Sequence, residues 1–223
     1  KRTAKAAIKI AVDLYNEGII TKEEAIKQVD PYSVYQVLLP CFNPDKVKHS
    51  HKVSKGVNAS PGAAVGKIVF DTEEAARRGE AGENVILVRI ETCPDDIHGM
   101  AVSQGVLTLR GGATSHAAVV AKGMGKPCVS GCEDLIIDLK AETITCADGT
   151  IFHKDDVISL DGGTGEVMEG AIELVQAGLD EDFETFFSWV DEIKELHVEA
   201  NADTPKDIEN ALKFGAEGVG LCR

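Results

Sequence analysis

His116 is the residue of this sequence best placed to do chemistry. It follows a glycine pair, Gly111 and Gly112, and the dipeptide formed by Thr114 and Ser115. Glycines permit a sharp turn and the close approach of a ligand to the main chain, and a Thr or Ser before a helix caps its free amide groups. A helix start attracts anions, especially phosphate, and disfavours a charged imidazolium. The pattern predicts a neutral histidine that takes up a phosphoryl group, although a structural cap or a surface histidine would show the same local pattern.

The elements around His116 must position it, and they predict a strand that turns sharply into a helix. Apolar residues of strand character, Val106, Leu107 and Leu109, lead into the glycine pair, and the helix-forming run 117–122 follows. On both sides lie further short segments with strand or helix patterns. Together they predict a compact α/β domain of about 110 residues. The predicted strands are 65–70, 85–90, 128–130, 135–139, 143–146, 151–152 and 157–160, and the predicted helices are 73–78 and one beginning at 92–97.

The flanking parts of the chain are predicted to be mainly helical, ending in a strand, a helix and a strand that form the start of a βαβ unit. The polar, lysine-rich segment 47–56 has the composition of a linker or of an exposed edge. The expected helices are 1–17, 21–29, 31–39, 169–176, 182–196 and 207–214, and the expected strands of the βαβ unit are 198–200 and 219–222.

Composition limits the classes of partner. The 23 basic and 37 acidic side chains give a net charge of −14, which argues against nucleic acid or an anionic membrane as a partner. We find no apolar run of about 18 residues and no signal-peptide pattern, so we expect a cytoplasmic protein. The six cysteines lack metal-site spacing, which favours reduced thiols. Two pairs, His49 with His51 and Asp95 with Asp96, could suggest metal ligands, but solvated histidines and helix-capping carboxylates are the favoured interpretations.

The stretch GGATSHAAVVAKGMGKPCVSGC, residues 111–132, resembles the phosphohistidine signature of the enzymes that make or use phosphoenolpyruvate (PEP). It is most similar to the dikinase branch, since the synthase branch usually has a cysteine where Ser115 stands. The resemblance implies that His116 is phosphorylated and that Thr114, Ser115 and the glycine pair lie beside the transferred group. Thr114 matches a threonine that is regulated by phosphorylation in plant members. Arg110 could hold phosphate oxygens or equally serve as an outward-facing salt-bridge partner.

The same resemblance implies the architecture. Residues 54–165 are expected to form a swivelling β/β/α phosphohistidine domain. Residues 1–53 and 166–196 are expected to be helical linkers, the first leading out of an ATP-binding domain. Residues 197–223 resemble the opening of a pyruvate- and PEP-binding (β/α)8 barrel, here truncated. Arg223 matches the family arginine that grips phosphate in that barrel.

The implied reaction converts ATP, phosphate and pyruvate reversibly into AMP, diphosphate and PEP. The expected cofactors are Mg²⁺ and, as a further candidate, a monovalent cation. The expected partners are the ATP-binding domain and the barrel of the same polypeptide, in a homodimer. Two alternatives remain open on the residues: a synthase-like domain, in which water replaces phosphate as acceptor, and a swivelling docking module that carries no phosphate.

Overall fold

The chain forms two compact units, one of Val34–Gly178 and the other of Lys1–Ser33 with Leu179–Arg223. The computed structural model describes residues 4–31, 34, 39–175, 181–202, 204–213 and 215–220. The helices are α1 (Ala4–Asn16), α2 (Lys22–Gln28), α3 (Pro44–Lys48), α4 (Thr72–Glu80), α5 (Ile97–Val102), α6 (His116–Gly123), α7 (Glu181–Ile193) and α8 (Pro205–Lys213), with a 3₁₀ turn at Pro94–Asp96. The strands are β1 (Cys41–Phe42), β2 (Lys52–Lys55), β3 (Val57–Ser60), β4 (Ala63–Val69), β5 (Val85–Arg89), β6 (Gly105–Thr108), β7 (Cys128–Ser130), β8 (Ile136–Asp138), β9 (Thr143–Thr145), β10 (Ile151–His153), β11 (Val157–Asp161), β12 (Glu166–Glu169), β13 (Leu174–Val175), β14 (Glu199–Ala200) and β15 (Gly218–Val219).

An eight-stranded mixed sheet organises the Val34–Gly178 unit, in the order β2-β12-β11-β4-β5-β6-β7-β3. Its centre, β4 to β7, is parallel, whereas the outer strands join antiparallel. The central strands are connected through helices, as parallel pairing requires. The carboxyl ends of β5 and β6 therefore lie side by side at one edge of the sheet.

Both faces of this sheet are covered. One apolar cluster joins the sheet to helices α4, α5 and α6 through residues such as Leu87, Val106 and Ala118. A second cluster joins the opposite face to the three-stranded sheet β10-β9-β8 through residues such as Leu107 and Ile144. Burial on both faces explains why β5 reads as a continuous apolar run, Val85–Val88, with every residue buried.

The described residues of the second unit form four helices, α1, α2, α7 and α8, and a parallel strand pair. Helices α1 and α2 contact α7, and the rings of Tyr15 and Trp189 lie 4.5 Å apart at their centroids. Thr21 and Glu24 form a capping box at the start of α2. Strands β14 and β15 pair in parallel and are joined by α8, which makes the predicted strand-helix-strand unit.

The structure confirms the predicted mixed α/β class, and it corrects one predicted helix. Residues 169–175 do not form a helix: Glu169 ends β12, and Leu174 and Val175 pair with Phe42 and Cys41. Of the two possibilities for 47–56, the exposed edge is confirmed in part, because β2 forms one edge of the large sheet. Most of the predicted helix 31–39 lies outside the described residues. Within the described part of the chain, no helix combines the length and apolar character needed to cross a bilayer.

Candidate functional site

The site begins where β6 ends. Thr108 is fully buried; its hydroxyl donates to the carbonyl oxygen of Arg110 at 2.9 Å, and its own carbonyl accepts from the backbone N–H of Cys132 at 3.1 Å. These bonds end the strand and bend the chain away from the sheet. Gly111 then has φ +115°, a backbone conformation that disfavours residues with a Cβ. The glycine predicted to permit a sharp turn therefore lies at that turn.

Helix α6 starts directly after this turn, with His116 as its first residue. Ser115 is the N-cap, and its hydroxyl oxygen accepts a hydrogen bond from the backbone N–H of Ala118 at 3.3 Å. Ala117, Ala118 and Ala121 are buried and anchor the helix on the sheet. Because its neighbours on the helix point inward, His116 is left half-buried at the mouth of the helix.

His116 has a partner that lies 24 residues earlier in the chain. Thr92 Oγ1 lies 3.1 Å from His116 Nδ1, within hydrogen-bond distance. Thr92 belongs to the loop after β5, and β5 and β6 are parallel neighbours, so both loops leave the same edge of the sheet. When Nδ1 carries the proton, it donates to Thr92 Oγ1, and the lone pair on Nε2 is left free.

The loop that carries Thr92 is fastened by a buried carboxylate, Asp96, which is 2% exposed. One carboxylate oxygen accepts from the backbone N–H of Cys93 at 2.8 Å, and the other accepts from the hydroxyl of Thr72. Arg89 Nε lies 3.4 Å from the same carboxylate, an ion-pair contact that lacks hydrogen-bond geometry. Burial by itself raises the pKa of Asp96, but these hydrogen bonds and the charge of Arg89 hold that pKa below its ordinary value. Asp96 is therefore ionised at neutral pH.

The structure brings most of the predicted site residues into one continuous surface. Gly111, Gly112 and Thr114 are exposed beside His116 and the half-buried Ser115. Arg223 lies outside the described residues.

Arg110 is 70% exposed, and its guanidinium is 3.9 Å from the carboxylate of Glu91.

Sequence reasoning assigned Thr92 only to helix capping and missed its contact with His116. A polar residue just after a buried strand, beside a second strand that leads to the candidate histidine, is the signal that points to it.

Two of the residues considered as metal ligands, His51 and Asp96, have other roles. Within the ranges that the structure describes, no group of three or more His, Cys, Asp or Glu side chains is placed to hold a metal ion. His51 instead bonds to Glu169 and Asp148, at 2.7 Å for each ring nitrogen. Its pKa is raised by the hydrogen bond with Glu169 and then by that with Asp148. Asp96 caps the 3₁₀ turn that begins after Cys93, as the sequence predicted.

Two family models match this chain. Residues 81–165 match the mobile domain of PEP-utilising enzymes. Residues 178–223 match the PEP-binding domain of the same enzymes. The first match contains the β5 and β6 loops, Thr92 and His116. Both matches agree with the resemblance drawn from residues 111–132.

Curated relatives match the whole chain. It is 51% identical over 223 residues to pyruvate, phosphate dikinase of Clostridium symbiosum, covering 100% of this chain and 25% of that protein. It is 49% identical over 225 residues to the pyruvate, phosphate dikinase of Rhizobium meliloti, covering 100% of this chain and 24% of the relative. It is 50% identical over 223 residues to the chloroplastic pyruvate, phosphate dikinase 1 of Arabidopsis thaliana, covering 100% of this chain and 23% of the relative. The chain thus spans about a quarter of the length of these relatives.

Proposed function

Because this chain belongs to the PEP-utilising enzymes, we propose that it is the central, phosphoryl-carrying part of a pyruvate, phosphate dikinase. His116 accepts a diphosphoryl group from ATP, passes the terminal phosphoryl group to inorganic phosphate and delivers the remaining one to pyruvate. The observation that carries the proposal is the position of His116. It is half-buried at a helix start, beside an exposed glycine turn, inside the segment that matches the family's mobile domain.

The geometry supports Nε2 as the reacting nitrogen, because Nδ1 faces Thr92. The lone pair of Nε2 forms a bond to the β-phosphorus of ATP. The bond from that phosphorus to the oxygen that it shares with the α-phosphorus breaks, which releases AMP. The terminal phosphoryl group then moves to inorganic phosphate, giving diphosphate and phosphohistidine. In the last step pyruvate gives up a methyl proton to a base of the pyruvate site, and the phosphoryl group passes from Nε2 to the resulting enolate oxygen, giving PEP and restoring the neutral ring.

The start of α6 supports the anion that His116 carries. Amide groups in the first turn of a helix and the positive end of its dipole favour a phosphate there. Ser115 already satisfies the amide of Ala118, so the anion meets a helix start whose geometry is fixed. Gly111 and Gly112 let phosphate oxygens approach the main chain without obstruction by a side chain.

The proposed cycle requires movement of the phosphohistidine domain. We infer that the phosphohistidine domain, 54–165, swivels between an ATP-binding domain and a pyruvate-binding barrel that begins at residues 197–223. Strands β2 and β12 pair within its large sheet, so they move with it, and the remaining parts of 1–53 and 166–196 are the linkers. The parallel pair β14 and β15, joined by α8, supports the barrel assignment. Mg²⁺ is proposed for the nucleotide and pyruvate sites; the described residues offer no ligand cluster for it, and the steps at His116 use this chain's own groups.

The test uses the full-length protein with ATP labelled at the β-phosphorus. We expect label that is stable in base and labile in acid, the signature of phosphohistidine, and we expect His116→Ala to abolish it. His98→Ala is the matched control, because His98 is 67% exposed, is paired with Glu80 and has no part in the proposed chemistry. Retention of the label by the His116 variant would contradict the assignment.

Two rivals give different results in the same assays. A synthase would form PEP from ATP and pyruvate without inorganic phosphate, whereas a dikinase depends on phosphate. A swivelling docking module would take up no label at all. Ser115 favours the dikinase, since the resemblance associates cysteine at that position with synthases.

A further inference from the structure

Asp96 is a buried, ionised side chain for which the proposed chemistry has no direct use. It lies on the 3₁₀ turn between β5 and α5, and its carboxylate contacts Thr72, the backbone of Cys93 and Arg89. Burying a carboxylate is costly unless hydrogen bonds and charges compensate. The protein therefore keeps a carboxylate whose burial costs stability next to the loop that contacts His116.

The contacts of Asp96 lead to His116 in two steps. Its carboxylate accepts from the backbone N–H of Cys93 at 2.8 Å, and the residue before Cys93 is Thr92. Thr92 Oγ1 in turn lies 3.1 Å from His116 Nδ1. A shift of the Cys93 backbone would move the Thr92 hydroxyl away from the imidazole, because the two residues share a peptide bond.

The other side of Asp96 is held equally firmly. Thr72, the first residue of α4, donates its hydroxyl to the carboxylate. Gly99 allows this arrangement, since a Cβ there would lie 2.7 Å from the carbonyl oxygen of Thr72. Arg89 connects the carboxylate to the end of β5, and its Nη1 donates to the carbonyl oxygen of Phe70 at 3.1 Å. The carboxylate is thus tied to β5 and α4, two rigid elements.

We propose that Asp96 is a positioning residue for phosphoryl transfer: it holds the 92–96 turn so that Thr92 meets His116 Nδ1 and Nε2 forms the bond to phosphorus. The inference rests on the proposed function. As the lone pair of Nε2 bonds to phosphorus, positive charge spreads over the ring, and the proton stays on Nδ1. Thr92 Oγ1 accepts that proton's hydrogen bond, which stabilises the charged ring. The electron pair of the broken bond leaves with the oxygen of AMP.

The test compares Thr92→Val, Asp96→Asn and the double variant in the full-length protein. Valine keeps the shape of threonine without its oxygen, and asparagine cannot accept from both Cys93 N–H and Thr72 without reorganising. The measurement is single-turnover labelling of His116 from ATP labelled at the β-phosphorus. We expect each single variant to slow labelling about three- to tenfold, the range of one neutral hydrogen bond, with the KM for ATP unchanged.

Non-additivity distinguishes positioning from general support. If Asp96 acts through Thr92, the double variant is no slower than Thr92→Val alone, whereas independent effects would multiply. We also expect a second signature in the labelled product. Phosphorus NMR should place it at Nε2 in the unmodified protein and partly at Nδ1 in Thr92→Val and Asp96→Asn. Thr92→Ser, which keeps the oxygen, should restore the rate to within about threefold.

Asp95→Asn is the matched control, because Asp95 is an exposed carboxylate on the same turn and should label at the unmodified rate. If Asp96→Asn does not fold, Thr72→Val replaces it in the test. This change removes the hydrogen bond that Thr72 donates to the Asp96 carboxylate, and it should slow labelling about two- to threefold. Two outcomes would overturn this inference alone, provided that the unmodified protein is labelled. In one, Asp96→Asn is labelled at the unmodified rate; in the other, the effects of the two single variants multiply in the double variant. Absence of label on His116 in the unmodified protein would overturn the proposed function and this inference with it.

Discussion

Gly111→Ala tests the requirement for a turn before His116 more directly than any change at the histidine itself. Gly111 has φ +115°, and an added Cβ would lie 2.8 Å from Cβ and 2.9 Å from Oγ of Ser115. Two costs follow. Holding alanine in such a backbone conformation costs about 1–3 kcal/mol, and displacing Ser115 removes a helix N-cap worth about 0.5–2 kcal/mol.

Together these costs reduce the free energy of unfolding by about 1.5–5 kcal/mol. For a domain of this size each kcal/mol lowers Tm by roughly 2–4 °C, so we expect a fall of about 3–20 °C. If the loop relaxes instead, the stability loss shrinks but His116 moves. A displacement of about 1 Å can slow a reaction about a hundredfold.

Gly112→Ala is the matched control, because no heavy atom lies within 4 Å of a Cβ at Gly112. We expect it to change stability by less than about 1 kcal/mol; it is a control for stability alone, because the proposed function places the Gly112 main chain beside the phosphate. The assays are thermal unfolding followed by circular dichroism, and single-turnover labelling from ATP in the full-length protein. Equal stability of the two variants would refute the reasoning, since the neighbouring glycines would then be interchangeable in the turn.

Two further predictions concern the scaffold. Leu107→Ala should lower the free energy of unfolding by about 2–5 kcal/mol, measured by urea denaturation, because Leu107 is fully buried in the cluster between the two sheets. The pKa of His51 is raised above its ordinary value of 6.5, so folding favours the protonated ring. The stabilisation that the protonated ring contributes is complete when the pH is below 6.5, and it is lost as the pH rises through the raised pKa. Thermal unfolding should therefore show that His51→Gln costs more stability at about pH 5.5 than at about pH 8.5.

Each of these has an outcome that would count against it. Ile136 is 68% exposed, so Ile136→Ala should leave the urea midpoint nearly unchanged, and an equal loss at both positions would argue against the assigned core. An effect of His51→Gln that is constant with pH, or larger in alkali, would mean that the bonds to Glu169 and Asp148 do not favour the protonated ring.

Much of the local structure was predictable because it depends on neighbours within a few residues. The start of α6 is an example, since Ser115 caps the helix that His116 begins. The wrong prediction, a helix over 169–176, has the opposite origin. Gly170 turns with φ +75°, and Ser159 accepts from the backbone N–H of Ile172 at 3.0 Å. Ser159 lies in strand β11, so the partner that fixes this segment comes from elsewhere in the chain. The local apolar pattern therefore gave a wrong prediction of a helix.

The sequence by itself determined the glycine turn, the cap and the place of the candidate histidine at the helix start, because a turn and a helix start are built from consecutive residues. Only the tertiary structure decided which ring nitrogen is engaged. Thr92 reaches His116 across 24 positions because β5 and β6 pair in parallel and deliver their loops to one edge. The contacts of Asp96 with Thr72 and of His51 with Asp148 likewise come from strand pairing and helix packing, which no local pattern encodes.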